Sequence, residues 1–203
     1  MRIIVVGMKI FKGSFLENLQ KVIFYIIVFC IIFFIGFFGY RVVKKSFFYP
    51  LKYKDYVLEY SKEFNLDSKL VFSTIKVESS FNKKAVSSRG AKGLMQITDS
   101  TGEFIAVKLQ ESNYDLFNEQ TNIKFGCYYL RYLLDRFDNL TVVLCAYNAG
   151  EGNVSKWLNT IEYSKDGKTL VKIPFKETEE YVKKIYKSFE KYKNLYGKFL
   201  DKS

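Results

Sequence analysis

Apolar residues follow two different patterns along this chain. From Val22 to Tyr40 they run without a single charge, bracketed by Lys21 and Arg41. A helix of that length spans about 28 Å, close to the hydrocarbon thickness of a bilayer. It is apolar on every face, which a surface helix of a water-soluble domain is not. We therefore expect residues 22–40 to be a transmembrane anchor, preceded by a short cytoplasmic segment at 1–21 and followed by a linker at 41–51. A cleaved leader fits less well, because the run is long and no Ala-x-Ala site follows it.

From Tyr53 onward the apolar positions recur with helical spacing. Tyr53, Val57, Tyr60 and Phe64 mark one helix. Asn65-Leu66-Asp67 breaks it, and Asp67 or Ser68 can cap a second helix with Leu70, Val71, Thr74, Ile75 and Val77 turned inward. Glu78 falls in its last turn. Residues 82–92 are polar and contain Gly90, so they read as a loop. Leu94-Met95-Gln96-Ile97 is a short apolar return. Thr98 or Asp99 opens a third helix with Phe104, Ile105 and Leu109. A long helix from Asn118 to Phe137 carries Ile123, Cys127, Leu130, Leu134 and Phe137 in register. Another begins at Thr141 and stops at Asn148-Ala149-Gly150, with Gly150 and Gly152 bracketing a tight turn. Residues 160–173 suggest a small hairpin or an irregular flap around Asp166-Gly167. The last helix runs from Glu177 to Phe199, with Tyr181, Ile185, Phe189 and Tyr192 on one side. Residues 52–203 thus form an all-α domain, α+β at most by that hairpin, and about 150 residues suffice for an independent core.

Composition narrows the chemistry. Hydrophobic residues make up 48% of the 203, which argues against disorder. There is no histidine, so Ser-His-Asp, Cys-His and HExxH sites are excluded. The three cysteines, Cys30, Cys127 and Cys145, show no CxxC spacing, so no metal site is expected. Cys127 and Cys145 read as buried thiols. The net charge of +11 fits nucleic acid, anionic lipid or an acidic polymer equally. No basic motif or regular aromatic stacking pattern supports a nucleic-acid partner.

Glu78 is the leading chemical candidate. A lone helical Glu is usually solvated, but Val71, Ile75, Val77 and Phe81 surround this one in sequence. Desolvation raises a carboxyl pKa and keeps the proton on near neutrality, as a general acid requires. The Ser87–Ile97 run supplies glycines where a ligand can approach the backbone closely. Gln96, between two apolar residues, needs hydrogen-bond partners, which its own loop could supply. Tyr147 and Asn148 end a helix beside Gly150, where core packing and capping are the plain alternatives. Glu177 sits at a helix start, where the dipole favours negative charge in any case.

Four motifs occur in order: Glu78-Ser79, Gly93-Leu94-Met95-Gln96, Ala146-Tyr147-Asn148-Ala149-Gly150, and Ile173-Pro174-Phe175-x-Glu177-Thr178-x-x-Tyr181-Val182. Over residues 52–195 the chain resembles the catalytic domain of the soluble-type lytic transglycosylases, bacterial enzymes that cleave peptidoglycan and have a lysozyme-like fold. The resemblance implies that Glu78 is the single catalytic acid/base. It makes Ser87 a residue positioning the substrate N-acetyl group, Met95 and Gln96 groove-lining, Tyr147 a neighbour of the carboxylate, Asn148 a substrate contact and Glu177 part of the far wall. Thr98 departs from the methionine found in many relatives. The implied partner is the glycan strand of peptidoglycan, with no cofactor, and the domain would lie outside the cell membrane. The charges flanking the anchor do not decide that orientation. Two alternatives share the fold: a muramidase that uses water, and a non-catalytic peptidoglycan-binding subunit.

Overall fold

The computed structural model describes the backbone of residues 2–201 and the side chains of residues 19–40 and 47–201. The chain divides into two units, Met1–Pro50 and Leu51–Ser203. Helices are the regular secondary structure throughout, and no strand forms among the described residues. The hairpin allowed for at 160–173 is therefore absent.

The first unit is one helix, α1 (Arg2–Phe48). Its stretch from Leu19 to Tyr40 is long and apolar enough to cross a membrane, and none of it is buried within the protein. The segment expected to be a linker stays helical to Phe48. The helix stops before Pro50, which disfavours helical backbone in the residue ahead of it.

The second unit contains α2 (Lys54–Glu63), α3 (Ser68–Ser79), α4 (Asp99–Leu109), α5 (Glu119–Arg136), α6 (Leu140–Ala149), α7 (Glu151–Leu158) and α8 (Lys176–Leu200). Short polar side chains start four of them. Asp67, Thr98, Asn118 and Asn139 each accept a hydrogen bond from an otherwise orphaned backbone N–H of the first turn. α6 is the central rod: Val142, Val143, Leu144, Cys145 and Ala146 are all fully buried. It packs on α5, α7 and α8, which explains why it is apolar all round. α3 lies against α8, where Phe72 stacks on Tyr192 with ring centroids 5.5 Å apart. α2 packs on α3 and α5, and Phe64 meets Tyr128 edge-on.

Three expectations change in detail. Leu134 of α5 and Phe137, which follows its last residue, are only half-buried, while Phe125 and Leu133 are fully buried. The inward stripe is rotated because α5 meets α2, α4 and α6 on different sides. Gly152 lies inside α7, so Gly150 alone makes the corner between α6 and α7, at φ +86°. The 160–173 segment is held by Asp166, whose carboxylate accepts from the Lys168 and Thr169 backbone and the Thr169 hydroxyl. One backbone bond, Val171 N–H to Tyr163 O at 2.8 Å, spans it. Both cysteines of this unit are free and buried.

Candidate active site

Glu78 is half-buried at the end of α3. The helix stops one residue later, at Ser79, because Ser80 and Phe81 both adopt left-handed backbone, at φ 51° and 64°. That conformation is costly for residues with side chains and concentrates at functional sites. Phe81, now buried, anchors the turn. The Ser79 hydroxyl donates to the Leu94 carbonyl at 2.8 Å, so the Glu78 turn is tied to the following loop.

Burial raises the Glu78 pKa from 4.5 to about 7. The Tyr181 hydroxyl beside it pulls the value down, although it falls short of a formed hydrogen bond: its oxygen is buried with no partner in bonding geometry. No second carboxylate perturbs Glu78 among the described residues. Tyr147 and Tyr181 are both held far above the usual phenol range, first by burial and then by the nearby Glu78 charge. Both phenols therefore stay neutral beside the carboxyl at any physiological pH.

A buried amide organises the loop behind this group. Asn122, fully buried in α5, accepts from the Met95 N–H at 2.7 Å and donates to the carbonyls of Lys92 and Leu116. Gly93 allows it: at φ +76°, a Cβ there would overlap the Asn122 amide and the Leu116 carbonyl. Gly126, one turn along α5, leaves room for the Met95 sulfur. The Met95 carbonyl then accepts from the Tyr147 hydroxyl at 2.8 Å.

The structure brings together Glu78 and Tyr147, and adds Tyr181. The other expected contacts occupy varied places. Ser87 is half-buried and its hydroxyl accepts from the Arg89 and Ala91 N–H groups. The Gln96 amide donates to the carbonyls of Ala85 and Gly93, so it braces its own loop. Met95 corrects the sequence reading: its side chain is fully buried against Gly126, so it packs the core rather than lining a groove. Asn148 accepts from the Thr178 hydroxyl at 2.8 Å, joining α6 to α8. Glu177 is exposed and pairs with Arg89 at 3.2 Å, linking the Ser87 loop to the start of α8.

Sequence reasoning put Tyr181 on one side of its helix and within the fourth motif but gave it no role, and it overlooked Asn122 and Gly126. A helix-interior glycine next to an apolar stripe was the available signal, since it costs stability unless something approaches closely. Among the described residues, no group of three or more Cys, Asp or Glu side chains comes together to hold a metal ion.

Comparison with known proteins adds to this geometry. The family model described as "Transglycosylase SLT domain" matches residues 55–170. The "Soluble lytic murein transglycosylase" of Salmonella typhimurium is 32% identical over 155 residues, covering 73% of this chain and 24% of that protein. The chain thus spans about a quarter of the length of that relative. "Membrane-bound lytic murein transglycosylase E" of Buchnera aphidicola is 33% identical over 195 residues, covering 83% of this chain and 91% of the relative. The crystal structure of an inactive mutant of lytic transglycosylase Slt from Pseudomonas aeruginosa superposes with a TM-score of 0.65 at 26% identity, over 74% of this chain and 25% of that one.

Proposed function

The chain belongs to the transglycosylase SLT domain family, and we propose that it is a membrane-anchored lytic transglycosylase acting on peptidoglycan. In this reading Glu78, as the neutral acid, donates its proton to the glycosidic oxygen between N-acetylmuramic acid and N-acetylglucosamine. The muramoyl N-acetyl group assists as that bond breaks. The Glu78 carboxylate then takes the proton of the muramoyl C6 hydroxyl, whose oxygen closes a 1,6-anhydro ring on C1. One carboxylate suffices because the nucleophile is part of the substrate and intramolecular attack has a high effective molarity.

The observation that carries this reading is the Glu78 pKa of about 7, set by burial. Near neutrality the group is populated in both forms, as an acid that later serves as base must be. Neutral phenols at Tyr147 and Tyr181 are suited to face the carboxylate formed after the first transfer. We assign Ser87, Gln96, Asn148 and Glu177 to substrate contacts around Glu78, with Met95 contributing its backbone.

Residues 22–40 serve as the anchor, residues 41–51 connect it, and residues 52–203 form the catalytic domain. The length and composition of the Leu19–Tyr40 helix support anchoring, as does the similarity to a relative named membrane-bound. With a substrate outside the cell membrane, the catalytic domain lies on the extracytoplasmic side and residues 1–21 lie inside. The test is mass spectrometry of peptidoglycan digested by the detergent-purified full chain. Anhydromuramoyl ends are expected. Reducing muramoyl ends would instead identify a hydrolase, and an undigested sacculus would leave a binding protein.

A further inference from the structure

The outward side of α8 carries a row of lysines. Lys184, Lys187, Lys191 and Lys198 are exposed, at spacings of three, four and seven that bring them onto one face of the helix. The row is about 21 Å long. Among the described residues none of the four enters an ion pair, unlike Lys183, which pairs with Glu179. From 184 to 198 the chain holds five lysines and a single acidic residue, Glu190. Like charges at this spacing repel and cost stability, so the unpaired row points to a partner that neutralises it.

The C-terminal end of the row lies beside the point where the chain enters this unit. Lys54, in the first turn of α2, holds its ammonium 5.4 Å from the ring centroid of Phe199, and that ring is 49% exposed. Lys52, two residues earlier, is exposed as well. Residues 41–50 alone separate Leu51 from the end of the apolar run at Tyr40. Fully extended, they reach about 35 Å. This end of the domain therefore stays within that distance of the bilayer the anchor would cross. Its chemistry suits such a surface. Lysines attract anionic headgroups, and an apolar ring enters the boundary between headgroups and acyl chains. The other side of α8 is committed to the core, where Tyr181, Ile185, Ser188 and Tyr192 are buried. Tyr181 is the α8 residue beside Glu78, so contact through the lysines leaves the candidate acid uncovered.

We propose that this lysine row, with Lys52, Lys54 and Phe199 at its end, docks the domain on anionic phospholipid headgroups. The proposal rests on the membrane-anchor reading above and not on the chemistry assigned to Glu78. Docked, the domain has a fixed height above the bilayer and acts close to it. Released by salt or by neutral lipid, it ranges over the full length of its tether.

Trp157, the single tryptophan and a buried residue of α7, is a built-in fluorescent donor. The full chain is reconstituted in vesicles of phosphatidylcholine alone or of phosphatidylcholine with phosphatidylglycerol, each carrying a dansyl-labelled headgroup as acceptor. Energy transfer from Trp157 then reads how close the domain lies to the bilayer surface. Each lysine near an anionic surface favours the docked state by about fivefold, and four together saturate it. Transfer is expected to be about twofold or more higher in the anionic vesicles. It should return to the neutral-lipid level at about 0.5 M salt, where the Debye length is about 4 Å. Lys184→Gln, Lys187→Gln, Lys191→Gln and Lys198→Gln together should abolish the rise. Lys165→Gln with Lys168→Gln, exposed positions outside α8, should leave it intact. If the fourfold variant melts early, Lys187→Gln with Lys191→Gln decides, and the salt concentration that halves the rise should drop. Equal transfer in both lipids, an unaltered rise in the fourfold variant, or an equal loss with the Lys165 and Lys168 changes overturns the proposal. Binding to an acidic wall polymer or nucleic acid that the fourfold variant loses, with its lipid response intact, gives the row to that partner instead. Flotation separates the two readings. A chain that floats with neither vesicle sinks the anchor and the docking with it, whereas a chain that floats without the anionic rise sinks the docking alone.

Discussion

The Tyr147 hydroxyl donates to the Met95 carbonyl at 2.8 Å, and this bond links α6 to the loop behind Glu78. Through Met95 it reaches Asn122, which holds the N–H of the same residue. The phenol beside the candidate acid is thus positioned by backbone that a buried amide fixes in turn.

Tyr147→Phe removes that bond without removing the ring. It leaves a carbonyl short of a partner, so a stability cost of about 1–2 kcal/mol is expected in denaturant melts. Turnover of peptidoglycan should fall by about tenfold or more, beyond what the stability loss explains. Unaltered activity would assign Tyr147 to packing alone.

Glu78→Gln keeps the shape of the side chain and removes its proton chemistry. Release of muropeptides should drop by at least about a hundredfold, within the range of a lost general acid. Full activity would dispose of the assigned role.

The same group makes stability depend on pH. Its folded pKa of about 7 lies above the ordinary 4.5, so between those values the folded chain holds a proton that the unfolded chain has released. Stability therefore falls as pH rises from about 4.5 to 7, by up to about 3 kcal/mol. Glu78→Gln should lose that slope, matching the parent near pH 4 and exceeding it near pH 8. Parallel melting curves across the range would contradict the burial argument. Catalysis should likewise decline as pH rises through about 7, because the neutral acid disappears.

Asn122→Ala is expected to be far more damaging than its distance from Glu78 in sequence suggests. It strands the Met95 N–H and the carbonyls of Lys92 and Leu116, for about 3 kcal/mol or more. Gly93→Ala should do at least as much, since the added carbon has no room and the backbone is left-handed. A melting temperature within a few degrees of the parent in either variant would refute the hub.

Glu177→Gln provides the contrast. Its pair with Arg89 is exposed, and such pairs contribute about 0–1 kcal/mol, so the melt should barely move. A rise in KM with kcat retained would place Glu177 against substrate. Unchanged kinetics would leave it a surface ion pair.

What could be read from the residues alone was whatever depends on near neighbours. Helix periods, the helix starts at Asp67, Thr98 and Asn118, and the apolar run around residues 22–40 are set within one or two turns. They came out close to the structure. The four motifs pointed to Glu78 for the same reason: each is a short string. Tertiary packing decided the rest. Whether Glu78 is dry depends on Tyr147 and Tyr181, about 70 and 100 residues further on, and desolvation is a sum over everything nearby. The family resemblance put Met95 against a groove, but Gly126 opened a hole that draws it into the core. The 160–173 segment had a turn signal and apolar flanks, but a hairpin needs a paired ladder. There the Asp166 carboxylate took the backbone N–H groups of the turn, and only one cross-segment backbone bond remained. Local preference chose the elements, and close packing between distant elements chose which side chains meet.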